Sequence, residues 1–193
     1  MTWYPESFTK IPMNDMHMRA DPSRQYPGRT YRFYTEEPVY GFGHGLSYTD
    51  HTYQFLSAPK RLNLLRFMKS GPEKRLLYQK EAGVEYIPTD ELSSCEMLRF
   101  SVQISVMNRG HMNGSYVVMV YAKASTAVEG APEKQLVGFS RVHTRAFGAT
   151  EMSIEVDPCE HLSFANEHGK RILTLGEHIL VVGDLEHFLL IAM

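Results

Sequence analysis

The chain has 193 residues, 43% hydrophobic and 22% charged, which is typical of a globular protein of one domain or one domain with an appendage. Its net charge of -2 offers no basic excess to meet phosphates and argues against nucleic acid as a partner. It has no apolar run near the ~20 residues of a membrane helix, and its first residues lack the pattern of a signal peptide. We therefore expect a chain that is either intracellular or begins inside a longer one.

Residues 1–39 contain five prolines and sustain neither a helical nor a strand period, so we expect an irregular arm. The first 55 residues nevertheless hold 12 of the 22 aromatic side chains, and such side chains drive burial. The arm should lie against a surface, either the domain that follows or a body outside this chain. The candidate contact residues are Trp3, Tyr26, Tyr31, Tyr34, Tyr40 and Phe42. An interdomain interface is favoured over a platform on which sugars stack, because large apolar patches usually mark protein contacts.

The segment that follows the arm, Tyr40-Gly-Phe-Gly-His-Gly-Leu-Ser-Tyr-Thr49, alternates three glycines with bulky residues. Glycine lets a backbone turn and pack closely where a side chain would block it. Leu46 and Tyr48 are expected to open the first strand. A nucleotide-binding loop is excluded, because no strand precedes the glycines and no helix follows them.

The rest of the chain predicts an all-β fold. Phe100, Val102, Ile104 and Val106 alternate with polar residues, the period-two pattern of a half-buried strand. Further strand-like runs cover 52–56, 62–68, 115–122, 135–143, 152–156, 171–175, 178–182 and 187–191. Their spacing, with turn residues between them, indicates an antiparallel β-sandwich of the immunoglobulin or fibronectin type III kind over 40–193.

No catalytic, metal or cofactor motif stands out. The nine histidines are scattered, and the HExxH, GxSxG and phosphate-loop patterns are absent from the sequence. The most basic part of the chain holds Lys60, Arg61, Arg66, Lys69, Lys74, Arg75 and Lys80. Such a cluster can bind a polyanion, but a solvated loop is the better interpretation on a nearly neutral protein.

Two further features leave alternatives open. Cys95 and Cys159 either form a disulfide that closes a loop of 159 − 95 = 64 residues or remain two partly buried thiols. Asn113-Gly114-Ser115 is an N-glycosylation sequon in a predicted hairpin turn. It is either a modification site of a secreted protein or a chance match.

The 40–49 segment resembles the signature that opens the C-terminal fibronectin type III-like domain of glycoside hydrolase family 3 enzymes. Its surroundings resemble the plant β-D-xylosidase/α-L-arabinofuranosidase branch. The matching stretches are Thr2–Pro5, Met18–Pro22, Tyr26–Tyr34, Lys134–Thr144, Asp157–Leu162, Leu175–His178 and Gly183–Leu185. The similarity covers most of 1–190 and is weakest at 58–95. Gly41 departs from the pattern, since proline or asparagine is more usual there.

The resemblance implies an enzyme of three parts that hydrolyses O-glycosidic bonds in xylan- and arabinan-type cell-wall sugars. An aspartate nucleophile and a glutamate acid/base would lie on two upstream domains, so no catalytic residue is carried over to this chain. Residues 1–39 would be the tail of the α/β sandwich domain. The chain is expected to be an accessory fragment, inactive alone and without cofactor.

The implied location is extracellular, at the cell wall. The implied partners are the catalytic domains, with cell-wall polysaccharide as a second candidate. The alternative functions are a stand-alone carbohydrate- or protein-binding module, with Trp3, Tyr26, Tyr31 and Tyr34 as its platform, and a truncated product without function.

Overall fold

The computed structural model describes residues 2–69, 79–81, 84–124, 131–166 and 168–193. The strands are β1 (His51–Ser57), β2 (Arg61–Asn63), β3 (Gln79–Glu81), β4 (Val84–Pro88), β5 (Phe100–Asn108), β6 (Gly114–Ala124), β7 (Gln135–Thr144), β8 (Ala149–Val156), β9 (Ser163–Ala165), β10 (Arg171–Thr174), β11 (Gly176–Val182) and β12 (Leu185–Ala192). Two short helices, α1 (Thr30–Phe33) and α2 (Pro158–His161), are described. Single 3-10 turns cover Glu6–Lys10, Pro22–Arg24, Leu65–Phe67, Thr89–Glu91 and Glu96–Leu98.

Two of the sheets form a sandwich. One has the strand order β1-β5-β8, and the other has the order β2-β12-β11-β6-β7. Alternate side chains of β5, among them Val102 and Ile104, are buried in one core with Val120, Leu180 and Leu189 of the opposite sheet. The neighbouring strands are antiparallel except for β2, which runs parallel to β12. The predicted all-β sandwich is confirmed, and its core follows the period-two pattern of the sequence.

A third, smaller sheet has the order β3-β4-β10-β9 and buries Tyr86, Phe164 and Ile172. It is linked to the sandwich through α2, whose first turn is capped by Asp157: the carboxylate accepts a hydrogen bond from the Cys159 amide at 2.9 Å. Cys159 forms a disulfide with Cys95, with an S–S distance of 2.04 Å. The bond joins the segment before β5 to α2, so the structure selects the paired state of the two cysteines.

The first strand begins later than predicted. Leu46 and Tyr48 are each 95% exposed, and β1 starts only at His51. The predicted start was wrong because, among the described residues, Leu46 and Tyr48 have no strand partner, and the pairing with β5 begins only at His51. Instead, the buried Thr49 hydroxyl donates a hydrogen bond to the Asn108 side chain. The expected strand at 62–68 is also short, since β2 ends at Asn63 and a 3-10 turn follows.

Close packing occurs at one of the three glycines in the 40–49 segment. Gly43 has a φ of +85°, and a Cβ there would lie 2.7 Å from both Met119 Sδ and Tyr121 Oη. A Cβ at Gly41 or Gly45 would meet nothing within 4 Å. The expectation of a closely packed backbone therefore applies to Gly43, whose backbone packs against Met119 and Tyr121 of strand β6.

We predict that the double substitution Cys95→Ala and Cys159→Ala lowers the free energy of unfolding by about 4 kcal/mol, because the disulfide closes a 64-residue loop in the unfolded chain. Denaturant unfolding of the variant and of the oxidised parent gives the difference. The parent treated with reductant is the control and should match the variant. A loss below about 1 kcal/mol would contradict the assigned role of the bond.

We predict that Gly43→Ala destabilises the chain by about 1–2 kcal/mol, since a side chain must adopt a left-handed backbone and displace Met119 and Tyr121. Gly45→Ala is the matched control. Its site is open and its φ is not positive, so its effect should stay within about 0.5 kcal/mol. Thermal and denaturant unfolding measure both, and equal losses would refute the packing role of Gly43.

We predict that the chain loses stability as the pH falls below about 6.5, because burial lowers the pKa of His178 from its ordinary value of 6.5. The Nε2 atom lies 2.9 Å from the Thr174 carbonyl oxygen in a buried site. The unfolded chain takes up protons at pH 6.5, whereas the folded one does so only at lower pH. Unfolding measured between pH 7.5 and pH 5 should show a shallower decline for His178→Gln than for the parent. The exposed His143→Gln is the control and should leave the slope unchanged.

Candidate docking surface

The arm is attached to the sandwich at the start of β7. The Arg32 carbonyl accepts a hydrogen bond from the Glu133 amide at 2.6 Å, and the Arg32 guanidinium donates to Gln135 Oε1 at 2.8 Å. Tyr31 Oη accepts from the Leu136 amide at 3.2 Å. These contacts fix helix α1 on the five-stranded sheet. The arm therefore lies against the domain that follows it, which is one of the two surfaces expected from the sequence.

A ring stack reinforces this attachment. Tyr31 lies on Phe42 with ring centroids 4.3 Å apart and meets Tyr121 of β6 edge-on at 6.1 Å. The Tyr121 hydroxyl donates to the Phe42 carbonyl at 3.2 Å. Burial raises the pKa of Tyr121 to about 12, so its hydroxyl stays a donor at physiological pH. Tyr31 and Phe42 are therefore engaged within the chain.

Tyr26 and Tyr34 are buried inside the arm, with only 5% and 7% of their surface accessible. Tyr34 packs against Tyr4 and Phe8, with centroids at 4.9 Å and 5.7 Å, and burial raises the pKa of its hydroxyl. The Tyr26 hydroxyl accepts from Arg29 Nε at 2.9 Å. The structure therefore does not assemble Trp3, Tyr26, Tyr31 and Tyr34 into the platform considered from the sequence.

Trp3 and Tyr40 remain exposed, with 58% and 45% of their surface accessible. Backbone hydrogen bonds hold them together: the Trp3 amide donates to the Tyr40 carbonyl at 2.9 Å, and the Val39 amide donates to the Trp3 carbonyl at 2.8 Å. The two rings meet edge-to-face at 5.5 Å, and His44 stacks on the other side of Tyr40 at 4.6 Å. This exposed aromatic row is built and fixed in position without a partner.

Other large apolar side chains of the same region are also exposed. They are Met13, Met16, Met18, Val39, Leu46 and Tyr48. The methionine-bearing segment is fixed by charge pairs, since Arg24 bonds Asp15 at 3.1 Å and Asp21 at 2.8 Å. Hydrogen bonds from Ser23 and Arg24 lower the pKa of Asp21 to about 2. An ordered segment that carries exposed methionines is typical of a contact surface.

The outer face of the five-stranded sheet also carries apolar side chains, next to charged ones such as the Lys123–Glu186 ion pair. Met119 on β6 stands opposite Phe139 on β7, and Ile179 on β11 stands opposite Phe188 on β12. Phe139 and Phe188 are both at least half exposed. Antiparallel sheets that face water normally carry polar residues on that side. Since the 40–44 segment already covers Met119, this face continues the surface of the arm.

We call the exposed aromatic row, the exposed apolar residues of 13–48 and the outer sheet face together the docking surface. The amino-acid sequence contains signals for the outer sheet face and for the exposed apolar residues of 13–48. The apolar run from Tyr116 to Ala122 is typical of a central strand, but its outward residues, Met119 among them, belong to this surface. Met13, Met16 and Met18 are missing from the predicted contact residues, although apolar residues in a proline-rich segment are a recognisable signal.

The described residues contain two open clefts beside the arm. One, of about 280 Å³, is lined by Tyr31, Tyr34, Glu36 and Glu133, among others. The other, of about 270 Å³, lies between the 41–44 segment, Tyr116 and Tyr121. Within the described ranges, we find no group of three or more histidine, cysteine, aspartate or glutamate side chains placed to hold a metal ion. In the same ranges, no helix has the length and hydropathy required to cross a membrane.

The remaining candidates lie elsewhere. Asn113 is exposed in the turn before β6. In the basic cluster, Lys60, Arg61, Arg66 and Lys69 are exposed. Lys74, Arg75 and the side chain of Lys80 lie outside the described residues.

Comparison with known proteins identifies the sandwich. A family model for the fibronectin type III-like domain matches residues 116–186. The probable β-D-xylosidase 6 of Arabidopsis thaliana is 50% identical over 192 residues, which are 97% of this chain and 24% of that protein. β-Xylosidase/α-L-arabinofuranosidase 1 of Medicago sativa subsp. varia is 38% identical and covers 98% of this chain, against 23% of its own length.

Among solved structures, a GH3 exo-β-xylosidase (XlnD), in complex with a xylobiose aziridine activity-based probe, matches 98% of this chain with a TM-score of 0.70. Its sequence is 25% identical, and the match covers 23% of that chain. The chain thus spans about a quarter of the length of the relatives it matches. The resemblance carried by the sequence motifs is confirmed. The chain corresponds to the accessory, C-terminal fibronectin type III-like region of glycoside hydrolase family 3 enzymes.

Proposed function

We propose that this chain uses its docking surface to hold the catalytic domains of a family 3 β-xylosidase/α-L-arabinofuranosidase. The observation that carries the proposal is the exposed aromatic row, in which Trp3 and Tyr40 are fixed by backbone hydrogen bonds yet left in water. Covering a large apolar side chain is worth about 1.5–3 kcal/mol. An ordered apolar surface of this size is therefore explained by a protein that covers it.

The arm and the sandwich have separate roles in this proposal. Residues 1–39 are the tail of an α/β sandwich domain, and residues 40–193 are the fibronectin type III-like domain. The contacts of Arg32 and Tyr31 with β7 support a rigid connection between the two. Through a rigid connection, the sandwich can orient the α/β sandwich domain to which the arm belongs in this proposal.

The whole enzyme would hydrolyse O-glycosidic bonds of xylan- and arabinan-type sugars outside the cell, at the cell wall. Retaining hydrolysis requires two carboxylates about 5–5.5 Å apart around the bond. In our proposal both are supplied by the catalytic domains. The chain by itself is then inactive, and turnover of aryl xylosides or arabinosides by the purified chain would contradict this.

We predict that the chain binds the catalytic part of its Arabidopsis relative when the matching quarter of that protein is removed. Titration calorimetry and size-exclusion chromatography should show a one-to-one complex. Tyr40→Ala should weaken binding at least tenfold, which corresponds to about 1.4 kcal/mol, because it removes the centre of the aromatic row.

Phe147→Ser is the matched control for this experiment. Phe147 is also exposed and aromatic, but it lies in the turn between β7 and β8, at the opposite end of β7 from the residues that bond Arg32 and Tyr31. Its substitution should leave the affinity unchanged. Absence of a complex, or equal effects of the two substitutions, would overturn the docking proposal.

A carbohydrate-binding function is the second candidate, favoured by the solvent exposure of Trp3 and Tyr40. Titration of the chain with xylan oligosaccharides distinguishes it from docking. Saturable binding that Trp3→Ala abolishes would support a sugar platform. Lack of binding would contradict it and favour docking to a protein as the function of the exposed aromatic row.

A further inference from the structure

We propose that Asn113 carries an N-linked glycan that covers an exposed apolar patch at one end of the sandwich. The proposal rests on the extracellular location proposed above, because the sequon Asn113-Gly114-Ser115 is modified only in a secreted protein. The structure adds two observations: the asparagine side chain is accessible, and an exposed apolar patch lies beside it.

The turn that carries Asn113 is held in one conformation by buried polar contacts. Asn108 is fully buried, and its side chain bonds both ends of the turn, donating to the Met112 carbonyl at 2.8 Å and accepting from the Gly110 amide at 2.9 Å. The Asn113 side chain is exposed, and its Oδ1 accepts from the Ala146 amide at 2.8 Å. That bond fixes the carboxamide and, among the described residues, we find no hydrogen bond to its Nδ2 nitrogen.

The same end of the sandwich exposes an apolar patch. Phe147, in the neighbouring turn, is 60% exposed, and its ring meets His111 edge-on at 4.7 Å. Met112, directly before Asn113, is also more than half exposed. The Ala146 hydrogen bond places these two turns side by side. The apolar C–H face of a pyranose ring linked to Asn113 can cover the phenylalanine ring of the adjoining turn.

The site is also remote from one part of the docking surface. Met119 lies six positions after Asn113, which amounts to roughly 20 Å along strand β6. A glycan on the turn therefore covers the end of the sandwich and leaves the 40–44 segment, which packs on Met119, accessible to the catalytic domains.

The modification is a group transfer from a lipid-linked oligosaccharide diphosphate. The Nδ2 nitrogen of Asn113 forms a bond to C1 of the first sugar, and the bond from C1 to the diphosphate oxygen breaks. The lipid diphosphate leaves with the electron pair, and the nitrogen loses one proton. No oxidant or reductant is required.

The test is expression of the 193-residue chain behind a secretion leader in a eukaryotic host, followed by peptide mass spectrometry. We expect the peptide with Asn113 to carry one glycan that peptide N-glycanase removes. Asn113→Gln and Ser115→Ala should abolish it, and Ser115→Thr should retain it. Asn166→Gln lies outside a sequon and serves as the control, with the glycan kept. An unmodified peptide in the secreted chain, from cells that glycosylate a reporter, overturns the proposal.

A second measurement tests the covering role. Enzymatic removal of the glycan should raise the fluorescence of a bound apolar dye at least twofold in the parent, and Phe147→Ser should suppress that rise. An unchanged signal in the parent overturns the covering role. Association with the catalytic part is measured separately, so a glycosylated chain that fails to bind it contradicts only the docking proposal.

Discussion

The position of the arm on the sandwich depends on the stacking of Tyr31, in the arm, on Phe42, in the 40–44 segment. It is supported by a backbone approach that a side chain at Gly43 would block and by the hydrogen bond from Tyr121 to the Phe42 carbonyl. Because these groups belong to both the arm and β6, the arm is held on the outer face of the five-stranded sheet. Tyr40, two residues before Phe42, is joined to Trp3 by backbone hydrogen bonds, so the exposed aromatic row lies next to this contact.

The chain divides its aromatic residues between two uses. Tyr26 and Tyr34 are buried and stabilise the irregular arm. The arm needs this burial because its prolines interrupt the backbone hydrogen bonds of regular helices and strands. Trp3 and Tyr40 point outward and leave apolar surface in water. The chain spans about a quarter of the length of its relatives, and the docking that we propose would explain this division, since folding and docking require different residues.

Several features followed from the sequence because they depend on local patterns. The alternation through Val102 and Ile104 predicted the sandwich, since one face of each strand must be buried. The motif around Tyr40 identified the family, because its residues follow one another directly in the chain. The first strand was predicted to start too early, at Leu46 instead of His51, because a strand needs a hydrogen-bonded neighbour and the local sequence does not show where that pairing begins.

By itself, the sequence determined the fold class, the family and the aromatic character of the arm, since periodicity and short motifs are written in consecutive residues. Only the tertiary structure decided which aromatics are free, that Cys95 and Cys159 pair, and that Met119 and Phe139 stand side by side on the outer face of the five-stranded sheet. The physical reason is that burial, disulfide geometry and sheet faces depend on residues far apart in the chain. The turns of Asn113 and Phe147 became neighbours in the same way, through one hydrogen bond between them.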